Sequence, residues 1–326
     1  MCTAVTYRTK DNYFGRTLDY EYSYKETVTI TPRNYPFNFR KMPKLDTHFA
    51  IIGMAYVVEN YPLYYDATNE AGLSIAGLNF VGNACYNDFI EGKDNISPFE
   101  LIPWILGQCE NLKQAKELLS KINIVNINFS EELPLSELHW IIADKDNAIT
   151  VESTKDGLKI YDNSIGVLTN NPTFDFHMHN LTNYMGLSSR QIENRLCSSE
   201  CVQLKPYSRG MGAIGLPGDL SSTSRFVRAA FTKINSVSGE SEEESVGQFF
   251  HILGAVEHPR GSVYMGDDKY EITIYTSCCN TDKGIYYYTT YGNRQITAVD
   301  MHREAINGCE LISYELVKEE QINYVN

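Results

Sequence analysis

Residues 2–20 alternate apolar and polar positions on either side of Lys10, Asp11 and Asn12. That pattern predicts strands over 2–9 and 13–20 joined as a β-hairpin, which would lay Arg16 and Asp19 on the strand beside Cys2. The β pattern continues over 25–31, where Pro32 ends it. It returns at 49–58 and at 73–78, the latter preceded by the turn Asn69-Glu70-Ala71-Gly72 and closed by Leu78-Asn79-Phe80. Helical spacing then takes over. Ser97-Pro98 reads as an N-cap with Pro at the first helical position of a helix reaching about 109. Leu112, Ala115, Leu118 and Leu119 mark one face of a second helix over 111–121. Strands are expected near 138–143, 148–153, 157–161 and 165–169, Pro172 stopping the last, and a helix over 174–185. Residues 186–220 show neither period, as in a lid or an assembly arm. Helices follow over 221–235 and from the acidic run Glu240–Glu244 to about Ala255, then strands near 271–279, 284–290 and 296–300. There is no repeat, low-complexity block or linker. The order predicts one domain, 1–326, of stacked sheets covered by helices.

Composition narrows the function classes. Of 326 residues, 43% are apolar and 23 are tyrosine, so the chain folds. A net charge of −13 argues against a nucleic-acid partner and against adsorption to anionic membranes. No apolar run approaches the ~20 residues of a membrane span. Arg8, Lys10, Asp11 and Arg16 interrupt the N-terminus where a secretory signal needs an apolar core. A cytoplasmic location is therefore expected, and with it reduced thiols for the eight cysteines. Neither Cys197 with Cys201 nor His177-x-His179 gives two close ligand pairs, so no metal site is expected. Gly210, Gly212 and Gly215 match G-x-G-x-x-G, but Leu216-Pro217-Gly218-Asp219 makes a turn where a dinucleotide site needs a helix. No cofactor is expected.

Cys2 changes the picture. Removal of Met1 would leave it first, with a thiol of pKa about 8.5 and an α-amine titrating near ~7.7–8.0. Nucleophile and base would then share one residue, the arrangement in which an N-terminal amine activates its own side chain. A lone cysteine is a weak signal. Arg16 and Asp19 taken alone read as an ordinary ion pair, Asn79 and Asn170 as strand-end turn residues, and Arg225 as a partner for Asp219.

Further blocks occur in order: Cys2-Thr3, Gly15-Arg16-x-x-Asp19, Asn69-Glu70-x-Gly72-Leu73 into Gly77-Leu78-Asn79-Phe80, Gly166-Val167-Leu168-Thr169-Asn170, Gly215-Leu216-Pro217-Gly218-Asp219, Ser224-Arg225-Phe226, Tyr275-Thr276-Ser277 and Gly284-Ile285-Tyr286-Tyr287-Tyr288. Across essentially its whole length the chain resembles the choloylglycine hydrolases, the bile salt hydrolase and penicillin V acylase branch of the N-terminal-nucleophile hydrolases. The resemblance implies an α+β fold, an αββα sandwich of two antiparallel sheets between helical layers. It implies Cys2 as nucleophile with its α-amine as base, Asp19 as the carboxylate holding that amine, and Arg16 and Arg225 as the two active-site arginines. Asn170 would be the side-chain donor of the oxyanion hole and Asn79 its backbone N–H donor. Asn79, where penicillin V acylases tend to have Tyr, favours bile salts conjugated to glycine or taurine. By the same resemblance Leu18, Val58, Tyr65, Phe129 and Leu133 would line an apolar cleft for the steroid. The arm over about 188–220 would assemble a homotetramer, with Gly210-Met211-Gly212 in the glycine-favouring form. A penicillin V or N-acyl-homoserine lactone acylase on the same scaffold, and a non-catalytic steroid-binding or redox protein, remain open at this point.

Overall fold

The structure, a computed structural model, describes residues 1–196 and 202–326; Cys197 and Cys201 lie outside the described residues. The strands are β1 (Cys2–Arg8), β2 (Asn12–Tyr20), β3 (Thr27–Thr31), β4 (Ile51–Val58), β5 (Tyr61–Asn69), β6 (Ser74–Asn79), β7 (Asp94–Ile96), β8 (Ile122–Ile124), β9 (Leu138–Ala143), β10 (Ala148–Thr154), β11 (Gly157–Asp162), β12 (Val167–Leu168), β13 (Tyr264–Gly266), β14 (Lys269–Tyr270), β15 (Ile272–Asn280), β16 (Ile285–Thr290), β17 (Asn293–Asp300) and β18 (Ile312–Glu315). The helices are α1 (Leu101–Gln108), α2 (Leu112–Leu119), α3 (Phe174–Leu181), α4 (Ser222–Asn235) and α5 (Glu242–Gly254).

One sheet runs β12-β1-β2-β15-β16-β17 and the other β11-β10-β9-β6-β5-β4-β3-β18. Strand alternation distributes the core into layers. In β9, Trp140 and Ile142 face α1 and α2, while Ile141 and Ala143 face the first sheet. In β4, Ile51 and Ala55 join the helical side, and Ile52 and Met54 meet Tyr275 and Tyr286 across the gap between the sheets. α3, α4 and α5 cover the outer face of the six-stranded sheet through Phe174, Phe226 and Phe249. The result is the expected αββα sandwich.

Local signals place the helices. Asn111 accepts the Gln114 N–H at 3.1 Å at the start of α2, and Ser241 with Glu244 forms a capping box on α5. Close approach makes Gly15 obligatory: a Cβ there would lie 2.0 Å from the Ser277 carbonyl oxygen of β15. β5 was not expected. Pro62, opposite Val57, breaks the pattern while sitting near the strand's start. The helix expected over 174–185 ends as α3 at Leu181, with a 3-10 turn at Thr182–Tyr184. Residues 211–213 form a 3-10 turn, and among the described residues no strand leads into the glycine pattern. Among the described residues no helix is long and apolar enough to cross a membrane.

Candidate active site

Cys2 opens β1, an interior strand flanked by β12 and β2. Its register partner is Leu18, which brings Arg16 and Asp19 alongside as the hairpin pattern requires. Both are buried, at 1% and 0% exposure, so the surface ion-pair reading fails. Asp19 Oδ1 accepts from Thr273 Oγ1 at 2.6 Å and Oδ2 from Thr17 Oγ1 at 2.9 Å. With Met1 joined to Cys2, the residue-1 amine donates to the Asp19 carbonyl and to Glu271, and the Cys2 N–H donates to Asn170 Oδ1 at 2.7 Å. The carboxylate of Asp19 thus holds two threonine hydroxyls, and the oxygen that receives the Cys2 nitrogen is that of Asn170.

Asn170 lies two residues beyond β12 and is the hub of the cluster. Its Oδ1 also accepts from Arg225 Nη2 at 2.8 Å, and its Nδ2 donates to the Asn79 carbonyl at 2.8 Å. Its backbone is held on both sides: the N–H by Ser222 Oγ at 2.8 Å, the carbonyl by His177 Nε2 at 2.8 Å. The preceding carbonyl, of Thr169, meets His139 Nε2 at 2.8 Å, and His139 Nδ1 meets Glu152 at 3.1 Å. His177 stacks on Phe226 and His139 on Phe80. Burial holds the His177 imidazole down to about 4, so near neutral pH it is uncharged and donates through Nε2–H. His179, the other half of the H-x-H pattern, is exposed on a different face of α3.

Arg225, on the first turns of α4, is fully buried and donates to the carbonyl of Cys2 and to Thr3 Oγ1 at 2.7 Å. Desolvation lowers its guanidinium against the opposing pull of Asp19 and Cys2. The pairing with Asp219 does not occur; Asp219 accepts from Ser224 Oγ and the Ser221 N–H. Arg16 reaches across to the other sheet, donating to the carbonyls of Tyr65 at 3.1 Å and of Gly77. β5 and β6 pair only as far as Asp66 opposite Ala76, and the Arg16 head occupies the split beyond. Phe80 N–H bonds Glu137 in the β9 direction, so alternation turns the Asn79 N–H away from β9, to the side where β5 no longer pairs.

The six expected catalytic residues therefore converge at one end of the sandwich. Of the expected cleft residues, Leu18 opposes Cys2 and the Tyr65 carbonyl holds Arg16. Val58 opposes Tyr61, whose ring meets Phe129 at 5.7 Å. Phe129 and Leu133 belong to the loop leading to β9, whose first residue opposes Asn79. All five are half-buried. A cavity of about 1410 Å3 lies elsewhere, at the end carrying Arg8, Gly72, Asn147 and Lys233, and none of the six lines it. Sequence reasoning missed Thr17, Thr273, His139, His177, Ser222, His258 and Glu271. His258 Nε2 lies 3.9 Å from Asp19 and Nδ1 3.8 Å from Glu271.

The arrangement offers a buried thiol strand-start, two guanidinium groups, a backbone N–H and a side-chain amide converging around it, which suits acyl transfer. The family model for linear amide C–N hydrolases of the choloylglycine hydrolase family matches residues 2–314. The chain is 60% identical, over 100% of both lengths, to a bile salt hydrolase/transferase of Lactiplantibacillus plantarum. The crystal structure of a mutant conjugated bile acid hydrolase from Clostridium perfringens superposes with a TM-score of 0.91 at 40% identity over 100% of both chains. A penicillin V acylase from Agrobacterium tumefaciens shares the fold at TM-score 0.77 and 18% identity, over 97% of this chain and 92% of that one. A family match over residues 2–314, nearly the full length, places this chain in the choloylglycine hydrolase family of linear amide C–N hydrolases.

Proposed function

We propose that this chain hydrolyses the amide bond of bile salts conjugated to glycine or taurine, with Cys2 as nucleophile once Met1 is removed. The observation that carries the reading is the Cys2 nitrogen on Asn170 Oδ1 at 2.7 Å, with Arg225 on the same oxygen. This supports a common reacting centre for the future α-amine and the side-chain amide of Asn170. The L. plantarum relative, a bile salt hydrolase/transferase by name, supports the substrate class.

In the proposed reaction the α-amine takes the thiol proton and the thiolate attacks the amide carbonyl carbon. The oxyanion receives the Asn79 N–H and the second Asn170 Nδ2–H, the first being committed to the Asn79 carbonyl. Each such donor is worth about 10²–10³ in rate. Collapse breaks the C–N bond, the ammonium of Cys2 passing its proton to the leaving amine. Water, deprotonated by the same amine, then cleaves the thioester to free bile acid. Arg16 and Arg225 favour the thiolate by charge. Leu18, Val58, Tyr65, Phe129 and Leu133 line the steroid side. The arm around 188–220 assembles a cytoplasmic homotetramer; Leu196 and Tyr207 are each 85% exposed on it.

Glycocholate and taurocholate are the test substrates, with amino-acid release as readout. Release by the wild type and none above background from Cys2→Ala is the expected result; equal release from both would overturn the reading. Faster turnover of phenoxymethylpenicillin than of glycocholate would overturn the substrate assignment alone.

A further inference from the structure

Arg16 is not the only charged group that crosses between the sheets. Asp66, on β5 of the eight-stranded sheet, is 1% exposed and projects the other way. Its Oδ1 accepts from Tyr275 OH at 2.7 Å, and its Oδ2 from Tyr286 OH at 2.7 Å and Ser277 Oγ at 3.1 Å, all on β15 and β16 of the six-stranded sheet. Burial raises the Asp66 carboxyl above its ordinary value, and Arg16 with the three donating hydroxyls opposes that rise by favouring the ionised form. Arg16, from the six-stranded sheet, meanwhile donates to carbonyls of β5 and β6. The two charges exchange sheets without forming an ion pair. Ser277 links them, its Oγ accepting the Arg16 backbone N–H at 3.1 Å while donating to Asp66.

We infer that Asp66 is a positioning residue that sets, through Arg16, the positive potential felt at Cys2. This rests on the proposed role of Cys2 and Arg16. A buried guanidinium whose hydrogen-bond partners are neutral carbonyls needs a counter-charge, and Asp66 is among the groups that supply it. Burial by itself lowers the Arg16 guanidinium; Cys2, Tyr275, Asp66 and Asp19 around it hold it above its ordinary value. The groups facing the pair are Cys2 on β1, Asp19 on β2, Tyr65 on β5, Tyr275 and Cys279 on β15, and Tyr286 on β16, with Arg225 facing Cys2 from α4. Of the two carboxylates near Arg16, Asp19 is held by Thr17 and Thr273, and Asp66 is the one not engaged around Cys2.

The experiment is the pH dependence of Cys2 alkylation by iodoacetamide in mature enzyme, read by peptide mass so that Cys85 and Cys309 do not interfere. Asp66→Asn keeps the shape and removes the charge. Arg16 is then less offset, so the thiolate forms more readily and the midpoint falls by about half to one pH unit. Glycocholate KM stays within about threefold, since no substrate contact is lost. An unmoved or raised midpoint would overturn the inference, because loosened packing alone does not lower it. Should Asp66→Asn not fold, Asp66→Ser removes the same charge with a smaller polar side chain, so the midpoint again falls; no shift overturns the inference. Cys2→Ala and Arg16→Gln separate the two levels. If either retains full activity, the proposed mechanism fails; if both are inactive and the Asp66 variants leave the midpoint in place, only this inference fails.

Discussion

Replacing Asn170 by Asp separates holding the site together from carrying out its chemistry. Asn170→Asp keeps an oxygen where Oδ1 accepts from the Cys2 nitrogen and Arg225. The contact with Arg225 becomes fully charged, a gain of about 1.5–3 kcal/mol. The other atom changes from an amide nitrogen to an oxygen 2.8 Å from the Asn79 carbonyl, acceptor against acceptor, costing about 1–3 kcal/mol. These offset, so the thermal midpoint should move by no more than ~4 °C. Catalysis has no such compensation. The side-chain donor for the oxyanion is gone and a negative charge sits where negative charge must develop, so kcat should fall by at least ~10²–10³, or about 2.7–4 kcal/mol. The assay is glycine release from glycocholate under saturating substrate, beside a calorimetric melt. A kcat within about fivefold of wild type would refute the assignment of Asn170 as an oxyanion donor, since one such donor is worth far more than that.

Gly15→Ala puts a methyl group 2.0 Å from the Ser277 carbonyl in the interior of the six-stranded sheet; a loss of more than ~3 kcal/mol in urea unfolding, or no soluble protein, is expected. Burial holds His177 and His258 down to about 4, below the ~6.5 of the unfolded chain. As pH falls from ~6.5 toward ~4 the unfolded chain takes up protons that the folded chain refuses, so their contribution to stability is lost over that window, at up to ~1.4 kcal/mol per unit for each histidine. Urea unfolding at successive pH values checks this, and His177→Gln should show a shallower loss than wild type; an identical slope would count against a neutral buried His177. Serine at Leu204 and Tyr207 together, 52% and 85% exposed, should dissociate the proposed tetramer in size-exclusion chromatography while leaving the melt of the subunit intact.

How far the chain could be read varies with how local the signal is. The hairpin over 2–20 follows from alternation and one turn, and it alone sets Arg16 and Asp19 beside Cys2. β6 ends at Asn79 and β12 precedes Asn170, so both asparagines were placed by strand ends, and the family resemblance supplied their roles. β5 was lost because Pro62 and the surrounding tyrosines mask its period, yet β5 carries Asp66 and receives Arg16. Thr273 reaches Asp19 only because β15 pairs with β2, in a register placing the two opposite each other; 254 residues of chain separate them and no local spacing announces the contact. His177 showed in the sequence only as half of an H-x-H pair. On a helix, residues two apart point to different faces, and it is that divergence, one ring inward on the Asn170 carbonyl and one outward, that makes the metal reading of the pair untenable.

The strand that begins with Cys2 has a neighbour on either side, so the residue proposed to do the chemistry cannot fray as chain ends usually do. The amides of Ala4 and Val5, paired with β12 on one side and β2 on the other, should exchange with deuterium as slowly as the most protected positions of the molecule. Activity should accordingly persist through partial denaturation that loosens outer loops, and vanish in step with global unfolding, with no earlier inactivation phase.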